Sequence, residues 1–588
     1  MNTGTHMNST LATIAEQSGF TQTGRTDEVD RLCAAMAARW PEAVSAFEFG
    51  LSAEGRPMRA LIASRSGALS AQDLHARGTP ILMVQAGIHP GESDGKDAGF
   101  IALRELLSGA AASGVIEHIA LLFVPAFNTD GHERLGRWNR PNQNGPEITG
   151  SRATAENLNL NRDYTKADAP EMQALLALIS EWDPLICADL HVTDGADFEP
   201  DVSIQVEPVN QGDPQLHPSG IKMRDELIAK LARQGSLPLP FYPDLFETDN
   251  PESGFVLTVY SPRFSTGYFP QRNRFTVLVE THSWKPYAKR VQVMRNTIVG
   301  LAELAAEHGP GWLAQARAAD VSSRALGGSR LCLDYESSWR EPSTAGKTTA
   351  GAGAGAGDAD LIEFRGYAYT RRHSAISGGL VTIYDPATPQ IWRVPYRHRI
   401  EPSIAVDAPR MGYFIPQAYA ETIGLRLKRH GIKLAPVPAD MHDEALQQFR
   451  ATRVSFAKRP FEGRMRADIL GEWQPADDAI AAPALFVPIS QPLARLIAAL
   501  LEPRAPDSFA AWGFFNACFE QKEQLEPYVA EQIAREIHAS NPKLRAEFES
   551  RLENDAAFRA DPAARLEFFC RHHASWDRQL NLYPIFRA

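Results

Sequence analysis

His89-Pro90-Gly91-Glu92 sets an imidazole and a carboxylate close together, directly after the apolar run Ile81-Leu82-Met83-Val84 and the turn residue Gly87. Both groups are ordinary zinc ligands, and a catalytic zinc keeps three protein ligands with one place open for water. A third ligand is therefore required. The best candidate is His191, in Asp189-Leu190-His191 at the carboxyl end of another apolar run, Leu185 to Leu190. Ligands of open α/β sheets collect at the carboxyl ends of strands, so two such ends can meet over one sheet edge. The spacing also arises by chance. His398-Arg399-Ile400-Glu401 repeats it in a basic stretch with no glycine turn after an apolar strand, and reads as noise.

Two further segments carry chemistry. In Asn157-Leu158-Asn159-Leu160-Asn161-Arg162-Asp163-Tyr164, a guanidinium fork stands beside a side-chain amide. That pairing suits a carboxylate, because arginine offers two parallel N–H donors. The alternative is a polar loop held by its own asparagines. Glu280 closes the strand-like run Phe275 to Val279 and opens Glu280-Thr281-His282-Ser283-Trp284. Burying an unpaired carboxylate is costly, so an acid at the mouth of a buried strand points to function, with capping or salt bridging as the alternative.

These residues need a scaffold. At 588 residues the chain exceeds what one core supports, and two or three domains are expected. Strand-like and helix-like patterns alternate through the first half, predicting an α/β fold with a mixed, largely parallel central sheet flanked by helices. Ile81 to Val84, Ile119 to Val124, Leu185 to Leu190, Val202 to Val206 and Phe275 to Val279 read as buried strands. Met172, Leu175, Leu176 and Ile179 recur at helical spacing behind a start at Asp168 and Pro170, and Val291, Met294, Ile298 and Leu301 do so after Pro286. The helical pattern ends at His308-Gly309-Pro310, and the alternating run Ala350 to Gly357 has no side chains for a core, which predicts a flexible loop or insertion. Residues 361–403 are β-like, and helical patterns follow, two of them opening at Asn541-Pro542 and Asp561-Pro562. The expected organisation is a catalytic domain at 1–315, a linker with the Gly/Ala-rich insertion at 316–360, and a C-terminal β-then-α region at 361–588.

Composition excludes several classes. Hydrophobic residues make up 44% and charged residues 22%, close to ordinary globular usage. Net charge is −11 with no Lys/Arg stripe to displace counterions, so no nucleic-acid partner is expected. No apolar window is long enough for a membrane span. Met1 to Phe20 lack a cationic start and an apolar core, so a cytoplasmic location is expected; Met7 as an alternative start, or a removed leader, leaves a periplasmic or secreted one open. The five cysteines are scattered and fit neither a disulfide framework nor a thiolate zinc site, and Cys187 reads as a small core hydrophobe.

The order HPGE, Asn-Arg, DLH and a strand ending in glutamate resembles the zinc carboxypeptidases, the carboxypeptidase A/B-like metallopeptidases. Leu51-Ser52-Ala53-Glu54-Gly55-Arg56-Pro57 resembles the family's S-x-E-G-R hairpin, and Asn128-Thr129-Asp130-Gly131 its NPDG. The likeness covers roughly residues 25 to 310. It implies one Zn2+ per chain on His89, Glu92 and His191. The His2Glu set is the family's own, so resemblance and ligand assignment are not independent. It further implies Asn161 and Arg162 as holders of a terminal carboxylate and Glu280 as general acid/base. For the oxyanion arginine, Arg140 is favoured over Arg137; for the mobile tyrosine, Tyr260 over Tyr268. The implied activity is hydrolysis of peptide bonds at the C-terminal end of peptide substrates. An amidase or deacylase of N-acyl amino acids or cell-wall peptides, and a catalytically silent peptide-binding protein, are the alternatives.

The likeness has limits. Tyr260 to Arg274 differs from the pocket segment of digestive relatives and brings in Arg263, Arg272 and Arg274, so side-chain preference is open. From Gly327 the chain does not resemble the small transthyretin-like domain of regulatory relatives. Leu501-Glu502-Pro503 and Trp576-Asp577 are similar to a long tail on some bacterial members. Oligomeric state is not indicated.

Overall fold

The computed structural model describes residues 10–338, 360–437, 446–476 and 484–588. Its centre is an eight-stranded mixed sheet of β1 (Val44–Leu51), β2 (Pro57–Ala63), β3 (Ile81–Gln85), β4 (Ala120–Val124), β5 (Ile186–Val192), β6 (Val202–Glu207), β7 (Pro238–Leu239) and β8 (Phe275–Thr281). The order is β1-β2-β4-β3-β5-β8-β6-β7. The four middle strands, β4-β3-β5-β8, run parallel; β1-β2, β2-β4 and β8-β6 pair antiparallel, and the short edge strand β7 pairs parallel with β6. The expected α/β architecture is thus present, with its longest parallel block at the centre.

The continuous apolar runs are explained by burial on both sheet faces. Successive strand side chains point to opposite sides. Ile81 and Met83 of β3, Leu122 and Val124 of β4, and Cys187 of β5 join one core. Leu82, Val84, Leu121, Phe123, Ile186, Ala188 and Leu190 join the other, with the helices Asp94–Ser108 and Tyr287–Ser323. Each such large apolar side chain contributes about 1.5–3 kcal/mol on burial. On the first face the same alternation continues past the apolar residues into Gln85, Asp189 and His191, so polar groups appear where the strands end.

Two details differ from the sequence reading. The helix Pro170–Trp182 forms, but Asp168 is not its cap: both oxygens of the buried Asp163 carboxylate accept backbone N–H groups, from Asp168 at 3.1 Å and Ala169 at 2.9 Å. Asp168 itself turns outward to cations of the C-terminal region. Nor does Gly309-Pro310 end its helix, which runs through to Ser323. Buried Trp312, Ala316 and Ala319 beyond the proline keep that face in the second core, and this packing outweighs the missing N–H. The expected boundary at 315 therefore falls inside a helix.

The stretch expected to be a linker contains the strand Arg330–Ser338, paired antiparallel with Arg399–Asp407. The run Ala350 to Gly357 lies outside the described residues. A long hairpin, Leu361–His373 with Leu380–Arg397, extends a small sheet that also holds Asp244–Leu245 and Phe255–Val256. A six-stranded sheet and a set of helices complete the C-terminal region, with Asn541 and Asp561 capping their helices as expected. Phe449, Ile497, Phe509, Phe515 and Tyr583 from this region share one core with Met83, Leu176 and Cys187. The C-terminal region thus shares a continuous core with one side of the N-terminal half. Among the described residues, no helix is long and apolar enough to cross a membrane.

Candidate metal and catalytic site

β5 and β8 pair in parallel with His191 opposite Glu280, and β3 pairs with β5 with Gln85 opposite Asp189. Register alone therefore brings four polar side chains to one edge. After β3 the chain turns at Gly87, whose φ of +68° favours glycine. The turn carries His89 and Glu92 over the end of β5. Gly91 lies under the stem of Arg140: a Cβ there would come within 2.4 Å of Arg140 Cγ.

His89, Glu92 and His191 converge, with candidate ligand atoms all within 4.8 Å of one another. The Nδ1 atoms of His89 and His191 each lie 3.0 Å from a different oxygen of Glu92. The outer ring nitrogens face away from this point. His89 Nε2–H donates to Asn159 Oδ1 at 3.1 Å, an atom identified as oxygen because it also accepts from the Asn161 backbone N–H at 3.0 Å. This leaves the lone pair of neutral His89 on Nδ1. His191 Nε2 lies 3.2 Å from Asp189 Oδ2 as an ion-pair contact rather than an aligned hydrogen bond. Asp189 is braced by Ser265 Oγ–H at 2.6 Å and Gln85 Nε2–H at 3.0 Å.

The residues fit a zinc ion. Two imidazoles and a carboxylate form a known catalytic ligand set, and outer carboxylate or amide partners orient such rings. His89 Nδ1 is buried without an aligned hydrogen bond, which leaves a lone pair aimed at the centre of the cluster. Burial lowers the His89 pKa to about 4, against the pull of Glu92, so the ring is neutral. Burial also opposes ionisation of Glu92, but Arg140 and His191 hold its carboxyl well below the usual range. For His191, burial is outweighed by Asp189 and Glu92 on either side, which raise its pKa well above the ordinary value.

The same cavity, about 190 Å³, is lined by Arg152, Asn161, Arg162, Tyr260 and Glu280 as well as the three candidate ligands. Glu280 Oε2 is buried without a hydrogen-bond partner. Burial raises the Glu280 pKa to about 8, with Glu92 and Asp194 adding to the rise and His191 and Arg140 opposing it. Arg162 stacks over Phe264 at 4.4 Å, donates to its neighbour's carbonyl, and has no carboxylate within ion-pair distance among the described residues. Burial, with Arg152 and Arg263 nearby, lowers its pKa to about 10. Asn161 Oδ1 is also buried and unpartnered.

The paired candidates differ in position. Arg140, 8% exposed, reaches Glu92 Oε1 at 3.0 Å, whereas Arg137, 64% exposed, pairs with Glu147 away from the cluster. Tyr260 lines the cavity, whereas Tyr268 is fully buried elsewhere with its hydroxyl on His430 Nδ1 at 2.9 Å. His398 joins no metal-competent cluster among the described residues. Sequence reasoning missed Arg152, 3.2 Å from Glu92 Oε1, and Tyr242, which also lines the cavity. Both sit in loops without periodicity. Asp189 did leave a signal, since a carboxylate two residues before His191 on a strand shares its face.

The support behind the site is charged and buried. Arg290, with no exposed surface, forks onto Asp94 at 2.8 and 3.2 Å and donates to the carbonyls of Asn144, Gly145, Ser283 and Lys285. Removing it leaves Asp94 buried and uncompensated. Arg290→Met is expected to cost about 3–5 kcal/mol in urea unfolding, and a loss under about 1 kcal/mol would contradict this. The hairpin at residues 52–56 and the motif at 128–131 also meet: Asp130 accepts from Ser52 Oγ–H at 2.7 Å, the Glu54 backbone N–H at 3.1 Å and Arg56 at 2.6 Å.

Residues 29–196 match the family model described as zinc carboxypeptidase. That stretch, which includes the HPGE and DLH segments but not Glu280, is zinc carboxypeptidase-type sequence. No curated protein matches the chain. Among solved structures it is similar to the carboxypeptidase A from Helicoverpa armigera, at 16% identity over 52% of this chain and 75% of that one, with a TM-score of 0.36. A metallo-carboxypeptidase from Burkholderia cenocepacia matches at 16% identity over 46% of this chain and 68% of that one, with a TM-score of 0.33. One from Pseudomonas aeruginosa, in complex with (2-guanidinoethylmercapto)succinic acid, matches at 17% identity, 47% and 68% coverage and a TM-score of 0.32.

Proposed function

We propose that the protein is a zinc-dependent metallocarboxypeptidase that removes C-terminal residues from peptides. One observation carries the reading: a three-ligand cluster, a buried unpaired carboxylate and a guanidinium without an acid share a single cavity. A zinc ion held by His89, Glu92 and His191 would polarise the scissile carbonyl and acidify water. Arg162 and Asn161 hold the substrate's terminal carboxylate through charge-assisted hydrogen bonds. Glu280 takes a proton from the attacking water and hands it to the leaving amine. Arg140 neutralises charge that develops on the carbonyl oxygen. Tyr260, whose hydroxyl pKa is pushed up by burial and by Glu280, stays protonated and serves as a hydrogen-bond donor across the cavity.

Metal analysis of the purified protein, with mass spectrometry of a digested peptide mixture, tests the reading. Zinc near one per chain and ladders shortened from the C-terminal end are expected. Cleavage indifferent to amidation of the terminal carboxylate would reject exopeptidase action. Arg162→Met is expected to raise KM for free-carboxylate substrates by about 10- to 100-fold, since hydrogen bonds to charged groups contribute about 1.5–3 kcal/mol. An unchanged KM would remove Arg162 from substrate binding.

A further inference from the structure

Among the described residues, those lining the cavity all belong to the N-terminal half of the chain. Yet the segments that carry its carboxylate-facing side are held from behind by the C-terminal region. Glu462 Oε2 accepts the Asn159 backbone N–H at 2.7 Å. Arg464 forks onto Asp168 at 2.6 and 2.7 Å, and Arg426 joins the same carboxylate at 3.0 Å. Trp512 Nε1–H donates to Thr165 Oγ1 at 3.0 Å. On the second segment, Asp507 accepts from the Arg263 backbone N–H at 2.9 Å and from its guanidinium at 3.0 Å.

The contact from Glu462 leads straight into the site. Asn159 uses its side-chain oxygen to hold both the Nε2–H of His89 and the backbone N–H of Asn161. One acceptor from the C-terminal region thus fixes the residue that orients a candidate metal ligand and the start of the Asn-Arg pair. The tip that presents it is built for the purpose: Glu462 has φ +51° and Gly463 φ +75°. A non-glycine residue in the left-handed region costs free energy and persists only where its surroundings over-determine it.

We infer that Glu462 is a positioning residue of the active site, through which the C-terminal region sets Asn159 and, by way of it, His89 and Asn161. The part of this that concerns substrate rests on the proposed carboxylate-holding role of Asn161 and Arg162; the part that concerns His89 does not.

The test compares Glu462→Ala and Glu462→Gln in the full chain, reading zinc affinity by competition with a chelator, KM and kcat on an N-acylated dipeptide with a free carboxylate, and thermal midpoint. Glu462→Ala is expected to weaken zinc binding and raise KM by about tenfold each while kcat stays within about threefold, because a second-layer contact is lost and the reacting groups are not. Glu462→Gln, whose side-chain oxygen still accepts the N–H, is expected to retain both values. Zinc affinity and KM within about twofold of the parent in the alanine variant would overturn the inference. So would equal losses in both variants accompanied by equal falls in thermal midpoint, which indicate general stabilisation. If the parent binds zinc but cleaves no peptide, the peptidase reading fails, and the zinc comparison alone still decides for or against Glu462.

Discussion

Glu280→Gln is expected to keep the fold and the zinc while kcat falls by on the order of 10²–10⁴, the usual worth of general acid–base catalysis. The substitution preserves shape and removes the carboxylate's charge together with its ability to exchange a proton. The physical case is the environment. Glu280 sits buried at the end of β8, one oxygen has no hydrogen-bond partner, and desolvation lifts its pKa to about 8. Such a carboxylate exchanges protons near neutrality. It acts as a base only when ionised, so activity should fall as pH drops through its pKa. A bound cation favours the charged form, which puts the acid limb between 4.5 and about 8. That limb should be absent from the residual activity of the glutamine variant. Turnover within about tenfold of the parent would remove Glu280 from the mechanism.

The same shift carries a sign for stability. The folded pKa of Glu280 lies above its unfolded value, so the protonated form stabilises the fold. That contribution is full below 4.5 and is lost as pH rises through about 8. Metal-free Glu280→Gln should accordingly gain stability relative to the metal-free parent as pH rises across this window, as thermal melts would show.

His191→Ala is the second large effect: zinc is expected to be absent from the purified protein and activity undetectable. Loss of an outer partner of a metal ligand alone typically costs about 10- to 100-fold in affinity, and loss of a ligand costs more. The variant also strips Asp189 and Glu92 of the ring that lies between them, at 3.2 and 3.0 Å. In the parent, those two carboxylates raise the His191 pKa well above its ordinary value despite burial, so zinc must displace a proton. Zinc affinity measured by chelator competition should therefore weaken as pH falls. Full zinc content in His191→Ala, by elemental analysis, would show that the ion sits elsewhere.

Much of this arrangement was legible in the residues. Runs such as Ile81 to Val84 and Leu185 to Leu190 announced strands buried on both faces, because only such strands are apolar at every position. HPGE, DLH and the glutamate closing β8 stood out because polar groups at the ends of those strands need partners. The helix through Pro310 was misjudged because the proline's local penalty is plain in the residues, whereas the packing of Trp312 and Ala316 that outweighs it is tertiary. The helix start at Asp168 was misplaced for a similar reason: only the folded chain shows Ala169 at the cap position, with Asp163 holding the backbone just before the helix.

By itself, then, the order of residues determined the strands, the candidate ligand types and the family likeness of residues 29–196, since these depend on spacing and side-chain chemistry along a short stretch. Tertiary structure alone decided that Arg140 rather than Arg137 contacts Glu92, that Tyr260 rather than Tyr268 lines the cavity, that Arg152 and Tyr242 line it too, and that Glu462 props Asn159 from the far end of the chain. Those choices depend on loop paths and long-range contacts, whose energies arise only once distant segments pack together, and no local pattern encodes them.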